Sequence, residues 1–172
     1  IGFDQWLHIT DFDGTCLQLT IFNADGSQAQ QCGNGLRCIG RYLETRGFLD
    51  KPVKVCLSKT QYTVCKNNQH IAVDMNPPRS IHVINQDVFW VDVGNQHLIY
   101  QKEITLESMK AASIEHQVNV HALTMIGPQK LKVIHYERGS GQTQACGSGA
   151  VACFAVARNM NPQLNKATVS LP

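Results

Sequence analysis

Cys32 and Cys146 stand in the same local sequence, Cys-Gly-x-Gly, 114 residues apart in a chain of 172. Laying one cysteine over the other puts Gln28 over Gln142, Gln30 over Gln144, Gly33 over Gly147 and Gly35 over Gly149. From Asn23 to Gly35, five of 13 positions are identical, where average composition gives about one by chance. Just upstream Phe22 falls over Tyr136, and Asn23 falls over Glu137. The pattern is that of two related halves, each presenting one cysteine in the same setting.

That setting suits proton transfer. A cysteine at the start of a helix faces unpaired backbone N–H groups and the positive end of the helix dipole. Both favour the thiolate and lower the thiol pKa. The glycines that follow let a ligand approach the backbone closely, and the same N–H groups can hold a carboxylate. Two such helix starts could grip one substrate from opposite faces. Inverting a carbon needs a proton removed from one face and a proton delivered to the other, so one sulfur must be thiolate and the other thiol. The plain alternative is that these are buried packing cysteines, and the duplicated context argues against it. Cys38 and Cys153 fall inside the predicted helices and are expected to pack in the core. The same is expected of Cys16, Cys56 and Cys65, which fall on strand-like runs.

The elements that must position the two sulfurs are mostly short strands. Candidates are Trp6–Thr10, Cys16–Phe22, Val53–Leu57, Tyr62–Lys66, His70–Met75, Val88–Val93, His97–Tyr100, Ala122–Ile126, Lys130–Tyr136 and Thr168–Leu171, several with the alternation of half-buried strands. Two segments read as helices, Leu36–Arg46 and Ala150–Asn159, each directly after its Cys-Gly-x-Gly. Asn67-Asn68 reads as a hairpin turn, and Asn76-Pro77-Pro78 as a break between halves. The expected organisation is an α/β (α+β) chain with an N-terminal half over 1–77 and a C-terminal half over 78–172.

Composition narrows the class. A formal charge of +2 with scattered Lys and Arg gives no basic footprint for nucleic acid. No segment reaches the roughly 20 apolar residues of a membrane span. Seven cysteines cannot pair completely within one chain, and no charged start leads into an apolar stretch. The expectation is a protein of the reducing cytoplasm. No Cys-x-x-Cys spacing occurs, so no zinc site is expected. The chain starts on Ile1 and ends on Leu171-Pro172, and is read as a portion of a longer protein.

Phe22-Asn23-Ala24-Asp25-Gly26-Ser27 followed by Cys32-Gly33-Asn34-Gly35-Leu36-Arg37-Cys38 resembles the first signature of the diaminopimelate epimerases. Glu137-Arg138-Gly139-Ser140-Gly141-Gln142-Thr143-Gln144-Ala145-Cys146-Gly147-Ser148-Gly149 resembles the second. Gly2-Phe3-Asp4-Gln5, Gly94-Asn95-Gln96-His97 and Val118-Asn119-Val120 resemble three further pieces of that family, in order. The resemblance implies two pseudo-symmetric halves, each a curled, mostly antiparallel sheet around a central helix, with the active site between them. It implies a homodimer that interconverts LL- and meso-diaminopimelate, a small-molecule substrate on the route to lysine and peptidoglycan, with no pyridoxal phosphate or other cofactor and no metal. By the same resemblance Cys32 and Cys146 are the acid and base, and His97 and Glu137 modulate their pKa values. Gly33, Asn34, Gly147 and Ser148 would bind the reacting end through backbone N–H groups. Asn23, Asn95, Asn119 and Arg138 would hold the distal amino-acid end, with Glu137 near the amine and Gln5 lining the site. Arginine offers a two-pronged partner for a carboxylate, and asparagine both a donor and an acceptor. The family has proline where Gln96 stands, which leaves the backbone beside Asn95 less fixed. Relative to the family, an N-terminal segment and the last strands are expected to be missing.

Three rival readings come from other classes. Asp11-Phe12-Asp13-Gly14-Thr15 matches the nucleophile loop of haloacid-dehalogenase-type phosphatases. That chemistry needs further carboxylates for Mg²⁺, and Glu137 is the only acidic residue from His116 onward. Asp13-Gly14 is therefore read as a hairpin turn. A proline racemase or hydroxyproline epimerase would also use two cysteines, but its substrate has no distal head to engage Asn23, Asn95, Asn119 and Arg138. A non-enzymatic binding protein descended from the fold would not require two thiols. The remaining six histidines show no partner pattern and are read as structural.

Overall fold

The computed structural model describes residues 2–3 and 5–170. Asp4, in the N-terminal piece of the resemblance, and Leu171, predicted to end the last strand, lie outside the described residues. The chain divides into two compact units, Ile1–Asn76 and Pro77–Pro172.

In the first unit, β1 (Gln5–Phe12) and β2 (Cys16–Asn23) form a hairpin, followed by α1 (Gly33–Thr45), β3 (Val53–Leu57), β4 (Thr60–Asn67) and β5 (His70–Asp74). Among the described residues the five strands run in the order β1-β2-β3-β4-β5. β2 and β3 are parallel, because α1 crosses between them, and the other pairs are antiparallel. Period-two alternation turns Leu17, Leu19, Ile21, Val53, Val55, Leu57, Tyr62 and Val64 toward α1, whose Leu36, Ile39 and Leu43 complete the core. Gly40 lets the helix sit down on the sheet: a Cβ there would come within 2.4 Å of Ile71 and 2.6 Å of Val64. Asp13 closes the β1–β2 turn, its carboxylate accepting from Thr15 N, Thr15 Oγ1 and Cys16 N at 2.7 to 2.8 Å. These bonds hold its pKa below the usual value, and Gly14 takes φ +92°. The residues of the phosphatase-like loop thus serve as a hairpin turn. Asn67 pairs with His70 across the β4–β5 turn, with Asn68 left-handed.

The second unit contains β6 (Ser80–Asn85), β7 (Val88–Asp92), β8 (Gln96–Tyr100), α2 (Leu106–His116), β9 (Asn119–Gly127), β10 (Lys130–Glu137), β11 (Gly141–Thr143), α3 (Gly147–Met160) and β12 (Thr168–Ser170). Among the described residues the sheet order is β11-β10-β9-β8-β7-β6, with β12 added to β10. One face packs on α3 through Phe89, Val91, Ile99, Leu123, Leu131 and Val133, against Ala152, Cys153 and Val156. The alternate residues Val88, Leu98 and Val120 pack on α2 through Met109 and Ala112.

Three expectations are corrected here. The second sheet is covered on both faces, because α2 joins the central helix. That helix starts on an N-cap, with Thr105 accepting from Ser108 N, but Met109 is its single large core residue, so its apolar periodicity is faint. β6 and β11 are also present beyond the predicted strands. Cys38 is exposed on α1 rather than packed in the core, whereas Cys153 is fully buried. Among the described residues no helix is long and apolar enough to cross a membrane.

Candidate active site

The predicted helices begin three residues earlier than expected, at Gly33 and Gly147, which makes each cysteine the N-cap. The Cys32 sulfur accepts from Gly35 N at 3.2 Å, and the Cys146 sulfur from Gly149 N at 3.3 Å. A sulfur here takes the place of the hydroxyl or carboxylate oxygen that ordinarily caps a helix. The duplication extends to the backbone. Gly26 N donates to Asn23 O at 2.9 Å, and 114 residues on, Ser140 N donates to Glu137 O at 3.1 Å. The Phe22–Gln28 bridge has its counterpart in the pairing of Tyr136 with Gln142. Each unit therefore carries the same device: a strand, a tight polar turn, and a helix start capped by sulfur.

In the first unit Gln5 Nε2 donates to Asn23 Oδ1 at 3.0 Å, and Asn23 Nδ2 donates to Ser27 Oγ at 3.0 Å. The turn from Asn23 to Ser27 is held by Asp25, whose carboxylate accepts from Ser27 N and Oγ and lies below its usual pKa for that reason. Gly33 is buried and Asn34 exposed at the start of α1. The amide of Gln31, immediately before the cap, is buried with no hydrogen-bond partner.

In the second unit Cys146 is 5% exposed, and its surroundings oppose one another. Burial and the negative charge of Glu137 raise its pKa, while the Ser148 hydroxyl and the Gly149 N–H lower it. Burial is the largest of these and the thiol is pushed up to about 12. The helix start favours the thiolate, but desolvation outweighs the cap here, and Cys146 rests as a thiol. Glu137 is itself tied to Thr143, whose hydroxyl donates to Oε1 at 2.6 Å. Arg138 N donates to Asn119 Oδ1 at 3.0 Å, and the Arg138 guanidinium reaches Gln117 O at 3.3 Å. Arg138 is otherwise exposed.

Asn95 links the helix start to the strands. Its Nδ2 donates to Ser148 Oγ at 3.4 Å, and Ser148 Oγ lies 3.5 Å from the Cys146 sulfur. Its Oδ1 faces His97 Nε2 at 2.8 Å. His97 is completely buried and is held neutral, its pKa lowered to about 3 chiefly by burial. Two histidines that were read as merely structural continue from it. His97 Nδ1 meets His121 Nε2 at 2.8 Å, and His121 Nδ1 meets His135 Nδ1 at 2.8 Å. The signal that pairs them lies in the β9–β10 hairpin, where Pro128 is seven residues from each (128 − 121 = 135 − 128). Among the described residues no group of three or more His, Cys, Asp or Glu is arranged to hold a metal ion.

Solved structures share the fold, and sequence relatives give the class. A hydroxyproline epimerase from Agrobacterium vitis matches with a TM-score of 0.67 at 11% identity, over 91% of this chain and 59% of that one. A phenazine biosynthesis protein of the PhzF family from Enterococcus faecalis matches with a TM-score of 0.65 at 10% identity, over 93% of this chain and 68% of that one. The diaminopimelate epimerase of Legionella pneumophila strain Philadelphia 1 is 32% identical, over 100% of this chain and 74% of its own length. That of strain Corby is 31% identical over the same shares. The diaminopimelate epimerase family model matches residues 1–81. The protein is an isomerase of the amino-acid epimerase and racemase class. More narrowly, the chain belongs to the diaminopimelate epimerase family.

Proposed function

We propose that the protein interconverts LL- and meso-diaminopimelate by a two-base transfer of the α-proton, with Cys32 and Cys146 as base and acid and no cofactor. The carrying observation is the duplicated cap: in each unit one sulfur sits on a helix start and accepts the N–H of the third residue on. Beside each sulfur the first turn offers N–H groups, from Gly33 and Asn34 in one unit and Gly147 and Ser148 in the other. These are ready partners for an α-carboxylate. The sulfur that rests as a thiol, Cys146, is suited to deliver a proton, which leaves Cys32 to remove one. In the reverse direction the roles exchange.

Arg138 and Asn119, joined by a hydrogen bond where β9 begins and β10 ends, are proposed to receive the distal carboxylate, with Asn23, Gln5 and Asn95 as further polar contacts and Glu137 near an amine. A proline-type substrate has no distal head for this set, which favours diaminopimelate over the proline and hydroxyproline reactions supported by the same fold. Seven cysteines without a disulfide among them suit a cytoplasmic setting, and a homodimer belongs to the same proposal.

The test is incubation with LL-diaminopimelate in D₂O. Deuterium is expected at one α-carbon without added pyridoxal phosphate or metal. Exchange into proline or hydroxyproline instead, with diaminopimelate untouched, would transfer the assignment to the other substrate class.

A further inference from the structure

His97, His121 and His135 come from the neighbouring strands β8, β9 and β10, and all three are 0% exposed. Their rings touch in sequence, with centroids 5.0 Å apart for the first pair and 4.8 Å for the second. Burying one imidazole removes water from both nitrogens, so each nitrogen needs a partner. Five of the six have one; the sixth, His135 Nε2, has none. Gly149, whose N–H donates to the capping sulfur of Cys146, gives His121 its room: a Cβ there would lie 2.5 Å from the ring. The cluster is therefore built against the first turn of α3.

A neutral imidazole has one N–H and one lone pair, so the partners set the direction of every bond. Asn95 Oδ1 can only accept, which puts the His97 proton on Nε2 and a lone pair on Nδ1. His121 must then donate from Nε2 and accept at Nδ1, and His135 must donate from Nδ1. The bare nitrogen, His135 Nε2, then carries a lone pair rather than a buried N–H. Asn95 Nδ2 is left facing Ser148 Oγ, and the Ser148 hydroxyl is free to donate to the Cys146 sulfur. All the bonds run the same way, from His135 toward the sulfur.

The geometry points to His121 and His135 as positioning residues: with His97 they form a one-way hydrogen-bond chain that, through Asn95 and Ser148, holds a donor on the sulfur of Cys146. This rests on Cys146 acting as a proton-transfer group. The donor stabilises the thiolate that forms when Cys146 gives up its proton. Without His135 the Nδ1 of His121 loses its donor, so the sense of the chain is held from the Asn95 end alone. Asn95 can then turn over at lower cost, and the Ser148 hydroxyl can donate to Asn95 instead of sulfur. Other groups also face Cys146 or the chain. Glu137 on β10 opposes ionisation of the sulfur, Cys153 lies on α3 itself, and Asp92 on β7 acts on His97. Replacing His135 leaves these in place.

The first readout needs no substrate. Full-length protein labelled with ¹⁵N-histidine is expected to show three neutral imidazoles at pH 7, His97 and His121 protonated on Nε2 and His135 on Nδ1. An imidazolium among them, or the reverse tautomers, would overturn the chain. The second readout is turnover of LL-diaminopimelate by His135→Val and His135→Asn. An asparagine amide places a donor where the imidazole carries Nδ1. His135→Val is expected to lose about tenfold in kcat with KM within about twofold, and its ionisation limb should move to higher pH. His135→Asn should restore most of the rate. Equal losses in the two variants, or a change in KM alone, would reduce the cluster to packing. If His135→Val does not fold, the tautomers decide. Matching tautomers in a protein that leaves diaminopimelate unexchanged would retire the substrate assignment and keep the chain.

Discussion

Gly149→Ala places one methyl group against the histidine cluster, and its effect can be worked from the contacts. An added Cβ would meet three atoms of the His121 ring at 2.5, 2.7 and 3.1 Å. His121 cannot swing aside freely, because hydrogen bonds of 2.8 Å hold it on both sides and it is completely buried. Alanine in a helix is favoured over glycine by about 1 kcal/mol, and by less in the first turn. Overpacking costs about 1–3 kcal/mol, and each hydrogen bond strained by displacing the ring adds about 1 kcal/mol. The net expectation is a loss of about 2 kcal/mol from the second unit. Trp6 and Trp90 are the two tryptophans, so a Trp6→Phe background leaves Trp90 to report on that unit alone. In urea the Trp90 transition should fall by roughly 1 M. Gly127→Ala is the control, since its nearest contact would be an ordinary 3.6 Å, and it should shift the midpoint little. In a His121→Ala background the obstruction is gone and Gly149→Ala should cost far less, a coupling that a double-mutant cycle measures. A Gly149→Ala protein as stable as the parent, or one whose loss persists in full without His121, would refute the contact.

Cys32→Ser and Cys146→Ser should each nearly abolish epimerisation while substrate still binds by calorimetry; wild-type turnover in either would remove the two-base assignment. Arg138→Ala should raise KM for diaminopimelate by about tenfold or more with a smaller change in kcat, and an unchanged KM would indicate a substrate without a distal carboxylate. Acid should destabilise the second unit through its buried histidines. Their folded pKa values are lowered, to about 3 for His97 and about 4 for His135, so between those values and about 6.5 the unfolded chain binds more protons. The stability they confer is present above about pH 6.5 and is lost as pH falls toward 4, at roughly 1.4 kcal/mol per pH unit for each histidine that protonates on unfolding. Urea midpoints by Trp90 fluorescence at pH 7, 5.5 and 4.5 would check this, and a flat profile would contradict it.

The duplication was legible because it is written in residue types: the two Cys-Gly-x-Gly sites and the turns before them recur at one offset, and the backbone bonds recur at the same offset. Most strands were legible because alternation in Leu17, Leu19 and Ile21, or in Leu131 and Val133, marks one buried face. The helix α2 was hidden because Ala112 and Ser113, small residues, do most of its packing beside Met109. The start of each main helix was misplaced because three glycine-rich positions are poor helix formers; the capping sulfur, not propensity, begins the helix there. The histidines escaped because their separations in sequence, 24 and 14 residues, mean nothing until the strands are paired.

What sequence identity could not convey is how differently the two matched sulfurs are surrounded. Cys32 and Cys146 share a cap, a following glycine and an equivalent turn, so symmetry alone would make them interchangeable. A two-base reaction needs the opposite: at any moment one must hold a proton and the other must not. Positions at which the two copies differ supply the difference. Asn23 in the first unit corresponds to Glu137 in the second, which puts a carboxylate beside Cys146 where the first unit has an amide. Burial adds to it, since Cys32 is half-buried and Cys146 nearly inaccessible. Both effects hold the proton on Cys146, while Ser148, fixed through Asn95 and the three histidines, keeps its ionisation within reach. Exchanging Glu137 for Gln should therefore lower the Cys146 pKa and narrow the distinction between the sulfurs, which the pH profiles of the forward and reverse reactions would show as limbs drawn closer together. Limbs that stay where they are would mean that burial alone sets the asymmetry.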